Sequence, residues 1–264
     1  MHSLLAGALL TAGGLAGVTP STAETAEPAP IPLNANRSLG LAIVAGEIRL
    51  APVTGSDAVW VATPAGDRTA FVNQVTGECL AGQSPLDGLA LVPKACSADD
   101  LYQHWQLKRV GVQQRQLVNA STGKCATVDG LTEGARGYSD SCLERPENNR
   151  WAFGNAVTKV SGDQTIPSTG TGQPLVVSVT RVDGSGVGGA QVQFAWNGKS
   201  CRFEGGVSAW IGTTDARGQV SSPAFYAMPQ FSHCTAYARG LTSDIEGSAR
   251  FDITVELPPP PPAT

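Results

Sequence analysis

FVNQVTGECL at residues 71–80 and LVNASTGKCA at residues 117–126 are nearly the same phrase, written 46 positions apart. Sliding the whole chain by that offset lays Val72 on Val118, Asn73 on Asn119, Thr76 on Thr122, Gly77 on Gly123, Cys79 on Cys125, Cys96 on Cys142 and Trp105 on Trp151. So many coincidences at one offset define an internal repeat. Forty-five positions before Trp105 stands Trp60, which closes a fainter copy, LNANRSLGLAIVAGEIRLAPVTGSDAVW at residues 33–60. That copy keeps the strand-like alternation and the final Trp but has neither cysteine. A unit of about 45 residues with about four short strands cannot cover its own apolar face, so the copies must share a core. Three copies closing about a threefold axis make a β-trefoil.

The chain has 264 residues, enough for two compact domains. With 31 Gly, 18 Pro, two Met and no amphipathic helical period, it reads as many short strands joined by turns, an all-β protein. The net charge of -4 and the scattered basic residues offer nothing to nucleic acid or anionic lipid, and a monomer is expected. The opening MHSLLAGALLTAGGLAGVTPSTAET carries an apolar core from Leu4 to Val18, the breaker Pro20, and small residues Ser21 and Ala23. It reads as a secretory signal over residues 1–23, cleaved after Ala23, although its n-region has His2 and neither Lys nor Arg. A retained apolar anchor is the competing reading, disfavoured by the Gly and Thr content and the short core. No other segment approaches the roughly 20 apolar residues of a membrane span. Residues 24–33 read as a linker.

In an exported chain six cysteines imply three disulfides. Cys79 and Cys96 stand 17 apart, as do Cys125 and Cys142, so local pairs are the natural assignment. Cys201 and Cys234 are left for each other. A loop of that length contributes about 3 kcal/mol in the chain-entropy model. No CxxC or HExxH spacing is present, so no metal or other cofactor is expected.

VTGECL through ACSADDLYQHWQL, followed by STGKCATVDG through SCLERPENNRWAF, resembles the ricin-type β-trefoil lectin domain, over about residues 34–155. That family has a disulfide in each repeat and ends each repeat in Gln-x-Trp. Gln103-His104-Trp105 matches this ending fully, and Asn149-Arg150-Trp151 matches with Asn in place of Gln. Trp60, Trp105 and Trp151 read as core anchors, and Gln103 as a buried turn amide. The resemblance implies carbohydrate binding by a carboxylate two residues after the first cysteine, an aromatic just before the second, and an Asn directly before Gln-x-Trp. The middle repeat departs from it, with Ala81, Lys94 and Tyr102 in those places. In the third, Thr127 takes the carboxylate's place. Candidates for all three roles nevertheless exist there, Asp129, Tyr138 and Asn148, of which Asn148 alone is in register. Competing readings are a hairpin turn at Asp129-Gly130 and a half-buried strand residue at Tyr138.

After Phe153 the composition turns to Gly, Thr, Ser and Val, with strands expected at 174–182, 191–196, 219–227, 234–240 and 247–257. Val177, Val179, Val192 and Phe194 alternate inward. This spacing predicts a β-sandwich over 156–257. VTKVSGDQ, QPLVVSVTRVDGSGVGGAQVQFAW and TTDARGQVSSPAF resemble the bacterial Ig-like domain of group 1, the invasin and intimin type. Thr214 to Gly218 reads as a tight hairpin, GSGVGG at 184–189 as a flexible loop, and PPPPP at 258–262 as a polyproline II tail. Arg outnumbers Lys 13 to 5, as in GC-rich bacterial genomes.

Neither His104 nor His233 has a nucleophile and an orienting acid in its sequence context, and Asp99-Asp100 reads as a solvated turn. Catalysis is not expected. Two functions stay open: a secreted carbohydrate-binding protein with its partner glycan held by the trefoil, the Ig-like domain acting as spacer; or an extracellular adhesion scaffold whose partner is a cell-surface protein. A trefoil protease inhibitor is a distant third.

Overall fold

The computed structural model describes residues 28–143 and 146–258. The expected signal and all but Pro258 of the polyproline tail lie outside the described residues. The N-terminal part runs β1 (Ala29–Pro30), β2 (Pro32–Leu33), β3 (Asn36–Val44), β4 (Glu47–Pro52), β5 (Val59–Ala65), β6 (Arg68–Asn73) and β7 (Glu78–Ala81). It continues with β8 (Leu89–Ala90), β9 (Val92–Ala95), β10 (His104–Gly111), β11 (Gln114–Asn119), β12 (Cys125–Val128), β13 (Gly137–Asp140) and β14 (Trp151–Ala152). Hydrogen bonding follows the order β1-β5-β6-β10-β11-β14-β2. Since β1 and β2 are one run of chain, that order is a closed barrel. The hairpins β3–β4, β7–β9 and β12–β13 leave it in turn through pairings with β2, β6 and β11. A closed barrel capped by three hairpins is a β-trefoil.

The threefold order is written in the tryptophans. Trp60, Trp105 and Trp151 are fully buried in one core, and their indole N–H groups donate to the carbonyls of Leu41 (2.7 Å), Leu80 (2.9 Å) and Ala126 (3.0 Å). The cysteine-free first copy therefore holds its hairpin as the other two do. Its hairpin is also longer. β3 and β4 pair from Leu39↔Pro52 to Val44↔Glu47 around a two-residue turn, Ala45-Gly46, with both φ angles positive. The other hairpins have four-residue strands, each stapled by a disulfide, Cys79–Cys96 or Cys125–Cys142. More ladder bonds stand where the cross-link is missing.

The repeated phrase is a turn. Asn73 Oδ1 accepts from the N–H of Val75 and Thr76, both at 3.1 Å, while its amide donates to Asp57 O at 2.7 Å. Asn119 does the same with Ser121, Thr122 and Tyr102. Gly77 and Gly123 then turn the chain at φ of 70° and 69°, where a side chain would be strained. One departure concerns residues 29–33, expected to be linker. Ala29 pairs with Trp60 and Leu33 with Trp151, so this segment is the barrel's closing strand. The reason is combinatorial: a threefold barrel begun in mid-repeat needs its first strand to meet its last.

The C-terminal part comprises β15 (Asn155–Ser161), β16 (Gln164–Pro167), β17 (Thr171–Gly172), β18 (Val176–Thr180), β19 (Gln191–Trp196) and β20 (Cys201–Phe203). There follow β21 (Ala209–Thr213), β22 (Gln219–Ser221), β23 (Phe225–Ala227), β24 (His233–Gly240), β25 (Ile245–Glu246) and β26 (Ser248–Glu256). Sheets β22-β18-β15-β25 and β16-β26-β24-β19-β21 enclose one core, completed by the small sheet β17-β23-β20. Val177, Val179, Val192 and Phe194 are fully buried in it, as their alternation predicts. Cys201–Cys234 ties the small sheet to the larger one. The strand expected over 219–227 is two strands, because Ser222 turns away to bond Leu175 N and Pro223 has no N–H to give. The glycine run at 184–189 is not a loose loop. Gly186 lies against Arg217 so closely that a Cβ would come within 2.1 Å of its carbonyl, and Val187 N donates to Val179 O.

The two parts are joined by a buried ion pair. Glu246, 2% exposed, accepts from Gln113 N at 2.8 Å, contacts the Arg115 guanidinium directly and lies 3.5 Å from Arg109 Nη2. Gln113 sits at the tip of the β10–β11 hairpin with φ of 52° and donates its amide to Gly154 O and Thr180 O. Burial, then the charge of Arg109, lowers the Arg115 pKa.

Candidate functional site

The third repeat's hairpin brings the candidate residues to one end. Its register sets Cys125 opposite Asp140, Thr127 opposite Tyr138 and Val128 opposite Gly137. Thr127, in the family's carboxylate position, is buried and turns its hydroxyl onto Cys125 O at 3.2 Å. Tyr138 across from it is 6% exposed, and β8 of the middle repeat pairs along its strand, Ala90 opposite Tyr138. Asn148, also 6% exposed, donates its amide to Val128 O at 2.7 Å and accepts Val128 N on its backbone carbonyl at 3.1 Å. Asp129 is exposed. Its Oδ1 accepts from Arg136 N at 2.8 Å, and Arg136 Nε stands 3.9 Å from its Oδ2.

Asp129, Tyr138 and Asn148 thus gather at one hairpin end, but Asp129 alone of the three faces solvent. Tyr138 and Asn148 lie under the surface, Tyr138 alongside β8 of the middle repeat and Asn148 bonded to Val128. Asp129-Gly130 opens the turn of the β12–β13 hairpin, where Asp129 N donates to Arg136 O and the loop spans 130–135.

The closing motifs behave as turn locks. Gln103 donates to Ala95 O and accepts from Ser97 N, both at 2.8 Å. Asn149 is shorter by a methylene and reaches Cys142 O only at 3.4 Å, and Gln116 makes up the difference, donating to Cys142 O at 2.7 Å and to Asn149 Oδ1 at 3.1 Å. Asp100, expected in a solvated turn, caps the short helix at Leu101–Gln103 by accepting Tyr102 N at 3.1 Å. The Lys94 ammonium at 2.5 Å, and then Tyr102 N, hold its pKa below the ordinary carboxylate value, against some desolvation. A depressed carboxylate stabilises the fold above its unfolded pKa and ceases to as pH falls through its folded pKa. Asp100→Asn is therefore expected to lower Tm at pH 7, with the difference closing as the pH falls below the ordinary carboxylate range, as melting curves across pH would show.

Among the described residues no group of three or more His, Cys, Asp and Glu is placed to hold a metal ion. His233 Nε2 is 3.1 Å from Thr235 Oγ1 and 3.6 Å from Asp252 Oδ1. Both partners meet the same ring nitrogen, whereas a nucleophile and its orienting acid must bind opposite ones.

A closed barrel with three indole-anchored hairpins, carried on a β-sandwich, defines the class: a β-trefoil protein with a second β domain. No protein-family model matches the chain, and no curated protein is similar to it. Among solved structures it is similar to a designed threefold-symmetric protein, ThreeFoil, at 16% identity over 47% of this chain and 95% of that one, with a TM-score of 0.42. It is also similar to cytolethal distending toxin from Actinobacillus actinomycetemcomitans, at 20% identity over 47% and 88%, with a TM-score of 0.41. A Polyporus squamosus lectin bound to a human-type influenza-binding epitope is similar at 15% identity over 52% of each chain, with a TM-score of 0.43. The fold assignment rests on the strand register above.

Proposed function

We propose that this is a secreted, non-catalytic, lectin-like protein whose trefoil binds a glycan weakly or at a single site, with the C-terminal sandwich, of bacterial Ig-like type, as its spacer. The observation that carries the reading is Asp129: an exposed carboxylate fixed by a backbone N–H, with a guanidinium beside it, on a hairpin braced from beneath by Asn148. Such a pair accepts from one sugar hydroxyl and donates to its neighbour, which is what orients a pyranose. Asp129 touches the saccharide; Tyr138 and Asn148 position the hairpin. The three disulfides suit an oxidising, extracellular setting.

The test is a glycan array on the full chain. Asp129→Asn is expected to weaken binding about tenfold or more with unchanged Tm, the size of one charged hydrogen bond. Asn148→Ala is expected to lose about 1–3 kcal/mol of stability by stranding Val128 O. Binding that survives Asp129→Asn overturns this site. The second reading, an extracellular scaffold for a protein partner, is supported by the middle repeat, where Ala81, Lys94 and Tyr102 stand in the places the sugar-binding residues of the resembled family would take. Binding of a cell surface that free sugars do not compete away would select it.

A further inference from the structure

The barrel carries three related clefts, and the sandwich closes one of them. Trp60 pairs with Asn73, Trp105 with Asn119 and Trp151 with Leu33. The residues just before those partners, Val72, Val118 and Pro32, therefore hold equivalent places, and each lines a cleft. The first two clefts, about 490 and 650 Å³, are walled by the trefoil alone. The third, about 230 Å³, has Arg181, Val182 and Asp183 of the sandwich in its lining. It is a composite cleft that neither domain has alone, and the buried Glu246 pair holds its two sides together.

Its chemistry is divided. One side is Pro30, Pro32, Val53 and Phe153, and the mouth carries Arg37 and Arg181. Arg37 donates to Gln113 Oε1 at 3.0 Å, Asn34 Oδ1 at 3.2 Å and Val182 O at 3.4 Å, none of them charged. Arg181 donates to Gly186 O and Ser185 Oγ. Asp183, the acid of this lining, spends Oδ1 on Ser185 N and Oγ, and its charge answers that of the nearby Arg181. Arg37 thus has no carboxylate opposite it among the described residues. A guanidinium in that state beside an apolar wall is complementary to an anion with an apolar body. Drug-sized ligands occupy roughly 300–1,000 Å³, so the occupant is smaller than those.

We propose that the domain junction is a binding site for a small carboxylic acid, its carboxylate on Arg37 and its apolar body against Pro32, Val53 and Phe153. The site does not depend on the glycan reading. The test uses the full chain and two probes of the same shape, phenylacetate and phenylacetamide, followed by saturation-transfer NMR and calorimetry. Phenylacetate is expected to bind about tenfold tighter than the amide, Arg37→Gln to erase that difference, and Val53→Phe to abolish binding of both by filling the cleft. Equal affinity for acid and amide, a preference that survives Arg37→Gln, or no phenylacetate binding at about 10 mM overturns the proposal. If Val53→Phe does not fold, Arg37→Gln decides alone.

Discussion

Replacing Glu246 with Ala is expected to cost about 3–5 kcal/mol and to split the unfolding of this chain into two transitions. The cost follows from what the carboxylate leaves behind. Arg115, its side chain 16% exposed, would keep a charge in a desolvated place, beside Arg109 of the same sign, and Gln113 would lose the acceptor for a buried N–H. The split follows from position, since Glu246 belongs to β25 of the sandwich and all three of its partners to the β10–β11 hairpin of the trefoil. Scanning calorimetry of the variant checks both. Glu246→Leu combined with Arg115→Met should recover much of the loss, because a matched apolar pair leaves no stranded charge at that position. A single unshifted transition in Glu246→Ala would mean that the domains are held by other contacts.

The second large effect is expected at the N-terminus. A chain that begins at Asn34 should not fold its trefoil, whereas one that begins at Pro28 should. Ile31 and Leu33 are buried to within 1%, and losing both removes about 3–6 kcal/mol of apolar burial. The barrel would also lose the strand that pairs with Trp60 and Trp151, leaving two open edges in its wall. Against the 5–15 kcal/mol stability of an ordinary domain, that is a large fraction before the lost strand pairing is added. Near-UV circular dichroism reads the result as the loss of the signal of Trp60, Trp105 and Trp151, with Trp196 and Trp210 of the sandwich as a constant background. Native spectra from the shorter chain would show that the hairpins alone hold the fold.

Much of the fold was legible because it depends on local chemistry. V-N-x-x-T-G-x-C encodes a turn whose Asn, Thr and Gly each serve the nearest backbone groups, so its repetition announced two equivalent corners. The third corner was legible only through Trp60 and a strand-like alternation, since its hairpin uses length and an Ala-Gly turn in place of a disulfide. The sandwich followed from strict alternation in strands such as Gln191–Trp196. The candidate site was half legible. Asp129, Tyr138 and Asn148 could be named from the roles the family resemblance implies, with Asn148 alone in register, but the burial of Tyr138 beside β8 involves another repeat.

Glu246, Gln113 and Arg37 carried no signal at all. Ile-Glu-Gly reads as an ordinary solvated turn, and nothing local distinguishes a glutamate in water from one buried against another domain. The sequence by itself determined most of the strands, the pairing of cysteines within repeats and the threefold plan, because each is settled within one repeat or by the repetition itself. Only the tertiary structure decided which strand closes the barrel, which polar groups go under the surface and where the two domains meet. Those outcomes depend on contacts across as many as 145 positions, and burial is a property of what arrives from elsewhere in the chain.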